Sequence, residues 1–270
     1  KYYEKIFMSN TSGSNKCSCK KSFNKCGFWI DLKNQIMKNK NLSNTNKNFT
    51  RFQTFRFEGF DRILNKFIKC SLSVSKHGLI ANALYKFQRN SMYANEILIS
   101  NIIKKTNSKY FLDSSKDYKG LFYFSKNKIF KIYPIFLFRD GRAQILSSRN
   151  RGWYDNWEKG CEIWKKNMEF QLKVYKSWDG PKIKIRYEKL CKSPQTELKK
   201  LYEFIGLDES KICIKYKPSS QHIMGNYEMR FSSSSKILDK EEWKVSLSNH
   251  KLKTFDKICG TLNSSIENNQ

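Results

Sequence analysis

The chain offers few groups able to do chemistry, and the most suggestive are a cation and an alcohol at a fixed separation. Arg139 ends an apolar run and Ser147 follows eight positions later. A guanidinium fork with a hydroxyl nearby suits a terminal phosphate. Ser114, Ser115 and Lys116 supply two hydroxyls and a cation at the start of a helical pattern. Helix N-termini attract phosphate and sulfate through free N–H groups and the macrodipole. Cys17, Cys19 and Cys26 are spaced so that three thiolates could hold zinc with a fourth ligand from elsewhere. Neither a Cys-x-x-Cys pair nor a neighbouring histidine accompanies them, so no metal is expected. For any one of these residues, a solvated surface position or a structural ion pair is the commoner outcome.

The elements that must position these groups are legible in the pattern of apolar residues. Residues 109–113 form a short apolar run that reads as a strand, with 117–124 as a short helix after it. Residues 131–138 are nearly continuously apolar, as expected for a strand covered on both faces, with Pro134 requiring an edge or the strand's start. A helix follows over 143–149, and Asp140 is a fitting N-cap. Trp157, Cys161, Trp164, Met168, Leu172 and Tyr175 step by three or four and predict a long helix over about 156–178. Asp179, Gly180 and Pro181 end it. Residues 182–187 alternate as a strand. Ser193-Pro194 then starts a helix that stops at Gly206. Upstream, residues 81–105 carry the stripe of an amphipathic helix, whereas residues 1–60 are polar and weakly patterned. This order of strands and helices predicts an α/β fold with a parallel sheet and binding loops at the carboxyl ends of its strands.

Composition narrows the partners. The 270 residues include 52 Lys and Arg against 24 Asp and Glu, a net charge of +28, and 15% are aromatic. The aromatic content argues for a folded chain. The charge favours an anionic partner, either a nucleic acid, a membrane surface, a phosphorylated cofactor or an acidic glycan, although scattered lysines also make an ordinary solvated surface. No apolar run approaches the roughly 20 residues of a spanning helix. Of the eight cysteines, five sit alone in ordinary segments, which favours reduced, packed thiols over a disulfide framework.

At Phe136-Leu137-Phe138-Arg139-Asp140-Gly141-Arg142-Ala143, followed by Ser147, the chain resembles the 3′-phosphate motif of the sulfotransferases. In that family a strand ends in Arg-Asp-Pro-Arg-Ala with a serine eight residues after the first arginine; Gly141 stands where proline is usual and permits the same turn. The segment Arg186 to Pro194 is similar to the family's Tyr-Glu-Asp-Leu segment, which implies that Tyr187 lies near the adenine. Ser114-Ser115-Lys116 resembles a loop of one bacterial-type branch. Gly225, Asn226, Arg230 and Trp243 resemble that branch's cofactor-closing C-terminal segment, and Cys17, Cys19, Cys26 and Trp29 an N-terminal segment of it.

The resemblance implies a single sulfotransferase-like domain over 1–270, with a P-loop-like three-layer fold and a central parallel sheet. Its N-terminal part, 1–105, would be helical and irregular, and its α/β core would span 106–260. The first strand and phosphosulfate loop are not found and are expected upstream of Lys1. The co-substrate would be 3′-phosphoadenosine 5′-phosphosulfate, with no metal. Arg139 and Ser147 are expected at its 3′-phosphate, Tyr187 at its adenine, Ser115 and Lys116 on the phosphosulfate side with Lys116 catalytic, and Arg230 closing the site. None of His77, His222 and His250 matches a family base. The acceptor would carry a hydroxyl or amine; glycan, protein tyrosine and small molecules are open, with the basic surface leaning to an acidic glycan. A bacterial source would imply a cytoplasmic enzyme, with an upstream signal or anchor left open. The competing reading is a basic nucleic-acid-binding protein without activity, and a nucleotide kinase of related architecture stands third.

Overall fold

The computed structural model describes residues 16–38, 95–114, 121, 124, 129–214, 222, 231 and 241–268. The chain divides into two compact units, one of residues 1–130 with 215–235, the other of 131–214 with 236–270. Together they mix helix with a two-stranded parallel sheet. Among the described residues no helix is long and apolar enough to cross a membrane.

In the first unit, α1 spans Gly27–Met37. Trp29, Leu32 and Ile36 recur at three and four positions, so they share one helix face, and all three are buried. That face packs with Cys17, Cys26 and Leu98. Leu98 belongs to a second helix, α2, over residues 95–106, the described part of the helix expected over 81–105. The expected strand at 109–113 does not form: the described residues there have no ladder partner, and Leu112 is 76% exposed. An apolar run becomes a strand only when a neighbour takes up its N–H and C=O groups. Of the helix expected over 117–124, Leu121 and Phe124 are helical and the remainder lies outside the described residues.

The second unit is built on β1 (Ile135–Phe138) and β2 (Ile183–Arg186), paired in parallel with Ile135 opposite Ile183 and Phe138 opposite Arg186. β1 is shorter than its apolar run because Pro134 has no N–H to give. Its carbonyl still accepts a hydrogen bond from the Ile183 N–H at 3.1 Å, so the proline sits at the strand's start. The expectation that both faces of β1 are covered fails at Leu137, 53% exposed, while Phe138 is buried.

Between the strands run α3 (Gly141–Asn150) and α4 (Trp157–Lys176). The α4 stripe packs as its spacing predicts: Trp157, Cys161, Trp164 and Met168 are buried, and Leu172 packs partly buried against the same core. Each such large side chain contributes roughly 1.5–3 kcal/mol of burial. The Asn156 side chain caps α4 by accepting from the Lys159 N–H at 2.8 Å. After β2, α5 (Tyr187–Lys192) is a short helix that strand alternation does not reveal. Then α6 (Pro194–Ile205) begins with proline in its first turn and ends on Gly206, whose φ of 71° is the left-handed C-cap conformation. The C-terminal helical segment, Asn249–Phe255, Asp256–Gly260 and Thr261–Asn268, packs Phe255, Cys259 and Ile266 into the same core.

Candidate functional site

Two groups of side chains are assembled, one in each unit. In the second unit, the parallel register puts Arg139 and Tyr187 one step beyond Phe138 and Arg186, at the carboxyl ends of neighbouring strands. The Arg139 guanidinium lies 4.7 Å from the centroid of the Tyr187 ring, within cation–π range. Both residues are half-buried. Thus the guanidinium and the phenol expected to share a site do meet.

The turn between β1 and α3 is heavily tied down. The Asp140 N–H donates to Glu188 Oε1 at 2.9 Å, and Glu188 Oε2 accepts from Arg186 Nε at 3.1 Å. Arg186 also donates to Glu267 at 2.7 Å. The Asp140 carboxylate caps α3 through the Arg142 N–H at 2.8 Å and takes the Arg142 guanidinium at 3.0 and 2.6 Å. That hydrogen-bonded carboxylate raises the Arg142 guanidinium above its ordinary range. Arg142 further stacks on the Trp243 ring at 3.9 Å. Its engagement is therefore structural, and Trp243 is occupied by an arginine of its own unit.

Gly141 is required here for reasons beyond the turn it permits. Its N–H donates to Asn263 Oδ1 at 2.9 Å, a bond proline could not make. A Cβ at this position would stand 2.8 Å from Trp164 and 2.9 Å from Phe255. The turn is thus built for glycine, with the C-terminal helix and α4 closed over it.

Ser147 stands half-buried two turns along α3 and makes no hydrogen bond or ring contact with Arg139 or Tyr187. The helix rises about 9 Å between Gly141 and Ser147. A phosphate held by both Arg139 and Ser147 would therefore lie along the flank of α3 rather than on its N-terminus. A groove elsewhere in this unit, lined by Gln144, Ser148, Asn167 and Gln171 among others, has a cavity volume of about 70 Å³. That is too small for a nucleotide, since small-molecule sites run to roughly 300–1,000 Å³. Ser115, Lys116, Gly225, Asn226, Arg230 and His77 lie outside the described residues.

In the first unit, Cys17, Cys19, Cys26 and His222 converge. Their ligand atoms all lie within 4.8 Å of one another. His222 Nδ1 is 3.6 Å from Cys17 Sγ and 3.4 Å from Cys26 Sγ, and Cys19 Sγ is 3.6 Å from Cys26 Sγ. Cys17 and Cys26 are fully buried. Burial and the neighbouring thiols push Cys17 up to about 12, although backbone hydrogen bonding opposes this. The Cys19 thiol, less buried and facing backbone donors and both other thiols, is drawn below its ordinary range. Spacing alone offers three thiols for zinc and no fourth donor near them. That donor lies 196 positions after Cys26, beyond the reach of any spacing rule.

No family model, no curated protein and no solved structure matches this chain.

Proposed function

We propose that the second unit binds the nucleotide end of 3′-phosphoadenosine 5′-phosphosulfate and that the chain is a sulfotransferase with a P-loop-like three-layer fold. The observation that carries this reading is the Arg139 guanidinium 4.7 Å over the Tyr187 ring at the ends of two parallel strands. Ligands of open α/β sheets bind in the crevice outside the carboxyl ends of the strands. A guanidinium held against an aromatic face is pre-oriented, so its fork loses less freedom when it takes a phosphate. The aromatic ring beside it suits a purine.

Sulfonate transfer asks mainly for positioning and fixed positive charge. A hydroxyl or amine of the acceptor attacks sulfur in line. A new bond to sulfur forms, the bond to the 5′-phosphate oxygen breaks, and adenosine 3′,5′-bisphosphate leaves with the bonding pair. The acceptor's proton passes to a base. Arg139 and Ser147 would hold the 3′-phosphate and Tyr187 the adenine. Ser115 and Lys116 would face the phosphosulfate and Arg230 would close the site.

Calorimetric titration of the full chain with adenosine 3′,5′-bisphosphate tests this. The expected result is one saturable site, weakened at least tenfold by Arg139→Ala. Absence of bisphosphate binding, with affinity for random-sequence RNA that falls steeply with salt, would instead support the nucleic-acid reading.

A further inference from the structure

We propose that Cys17, Cys19, Cys26 and His222 form a structural zinc site, a Cys3His centre independent of the sulfotransferase reading. Tetrahedral zinc with bonds of about 2.3 Å to sulfur and 2.0–2.1 Å to nitrogen sets its ligands about 3.8 Å apart for two sulfurs and about 3.6 Å for sulfur and nitrogen. The observed separations are 3.6 Å for Cys19 and Cys26, and 3.6 and 3.4 Å from the two fully buried thiols to His222 Nδ1. A disulfide does not explain the group. It would join two sulfurs at about 2.0 Å and leave a thiol and an imidazole with no reason to converge.

The backbone is shaped to present these donors. Cys17 and Cys19 lie on a tight turn in which the Cys17 N–H donates to the Lys21 carbonyl, the Lys20 N–H donates to the Cys17 carbonyl, and Lys20 takes a φ of 67°. Lys16 and Ser22 bridge its base in antiparallel fashion. Cys26 is the N-cap residue of α1 and its side chain makes no capping hydrogen bond, so its sulfur serves the cluster while sitting at the positive end of the helix.

The histidine is equally fixed. The Trp29 indole N–H donates to the His222 carbonyl at 3.0 Å. The Phe28 ring stacks on the imidazole at 4.9 Å with a 2° interplanar angle. His222 has a φ of 49°, in the left-handed region unusual for a non-glycine residue. Two consecutive aromatic residues of α1 therefore orient the imidazole so that Nδ1 faces the thiols. Such outer partners are what a metal-ligating histidine needs.

Four protein donors complete a tetrahedron and leave no open position, which marks a structural centre rather than a catalytic one. Thiolate and imidazole donors select zinc among the available divalent ions. The ion would close a loop between residue 26 and residue 222 of the chain, holding the turn, α1 and the histidine together.

The test is metal analysis of the full chain purified without chelator, followed by cobalt substitution. About one zinc per chain is expected. The cobalt form should show thiolate-to-metal charge transfer and the intense visible bands of a tetrahedral ion. Cys26→Ser and His222→Ala should each lose most of the metal, whereas Cys213→Ser, at an exposed thiol, should keep it. His222→Cys guards against variants that simply misfold: it should retain one metal and shift the cobalt spectrum to that of a four-sulfur site. A folded chain that holds less than about a tenth of an equivalent of zinc after incubation with the ion overturns the proposal. So does an unchanged cobalt spectrum in His222→Cys, or a Cys19–Cys26 disulfide found by mass spectrometry in the freshly purified protein.

Discussion

Arg139 and Tyr187 face each other across the ends of two parallel strands, guanidinium to ring at 4.7 Å, although 48 positions separate them in sequence. The pairing follows from register: Phe138 lies opposite Arg186, so the next residue of each strand is delivered to the same place. If the ring both orients the arginine and receives a purine, Tyr187→Phe should keep bisphosphate affinity within about twofold, since the ring face is retained. Tyr187→Ala should cost about tenfold, and Arg139→Lys nearly as much as Arg139→Ala, because an ammonium lacks the planar fork. Calorimetry on the four variants checks the order.

Gly141 is expected to be intolerant of any side chain. Its Cβ would meet two aromatic rings at under 3 Å, and the rings belong to α4 and the C-terminal helical segment. Gly141→Ala should destabilise by about 1–3 kcal/mol through overpacking. Gly141→Pro should cost more, because it also orphans Asn263, which is buried and accepts the Gly141 N–H. Urea unfolding of the three proteins measures the difference.

Asp140 serves the turn twice, as N-cap of α3 and as partner of Arg142. Asp140→Asn keeps an oxygen for the Arg142 N–H and loses the charge pair; Asp140→Ala loses both. The alanine variant should therefore be the less stable, by about 1 kcal/mol, the worth of a cap. Chemical denaturation that ranks the two equally would show that the cap bond contributes nothing.

The sequence was most informative where local rules decide structure. The α4 stripe, the Asp140 cap, and the Pro194 and Gly206 ends of α6 all follow from spacing and side-chain chemistry within a few residues. What it hid depends on partners far along the chain. Trp29, Leu32 and Ile36 carry a helical spacing, but α1 lies within the stretch 1–60, whose overall Asn-, Lys- and Ser-rich composition obscures it. The apolar run at 109–113 predicts a strand only if a neighbour pairs with it, and among the described residues none does. His222 joins three cysteines from a distance of nearly 200 positions, and no motif rule spans that gap. The Arg139–Tyr187 meeting was expected only from the resemblance to the sulfotransferase motifs; the register of β1 and β2 supplies its physical reason.

Cys161 and Cys259 are both fully buried, and the Cys259 thiol donates to the Cys161 carbonyl at 3.3 Å. The pair cannot readily lose two protons: the neighbouring Cys259 thiol and burial hold the Cys161 thiol far above its ordinary range, while Cys259 is favoured for the first ionisation. The unfolded chain, in contrast, ionises both near pH 8.5. Above that pH the unfolded state binds fewer protons at Cys161 than the native state does, so the stability this thiol contributes is present below pH 8.5 and declines as pH rises. The expected slope is about 1.4 kcal/mol per pH unit. Below pH 8.5 the lowered Cys259 thiol acts with the opposite sign, so urea unfolding at pH 8.5, 9.0 and 9.5 should show the decline, and Cys161→Ala should flatten it. In the native protein the exposed Cys213 should react quickly with a thiol reagent, whereas Cys161 and Cys259 should react only on unfolding. Rapid native-state labelling of either buried thiol would mean that the α4 face against the C-terminal helical segment opens far more readily than its packing implies.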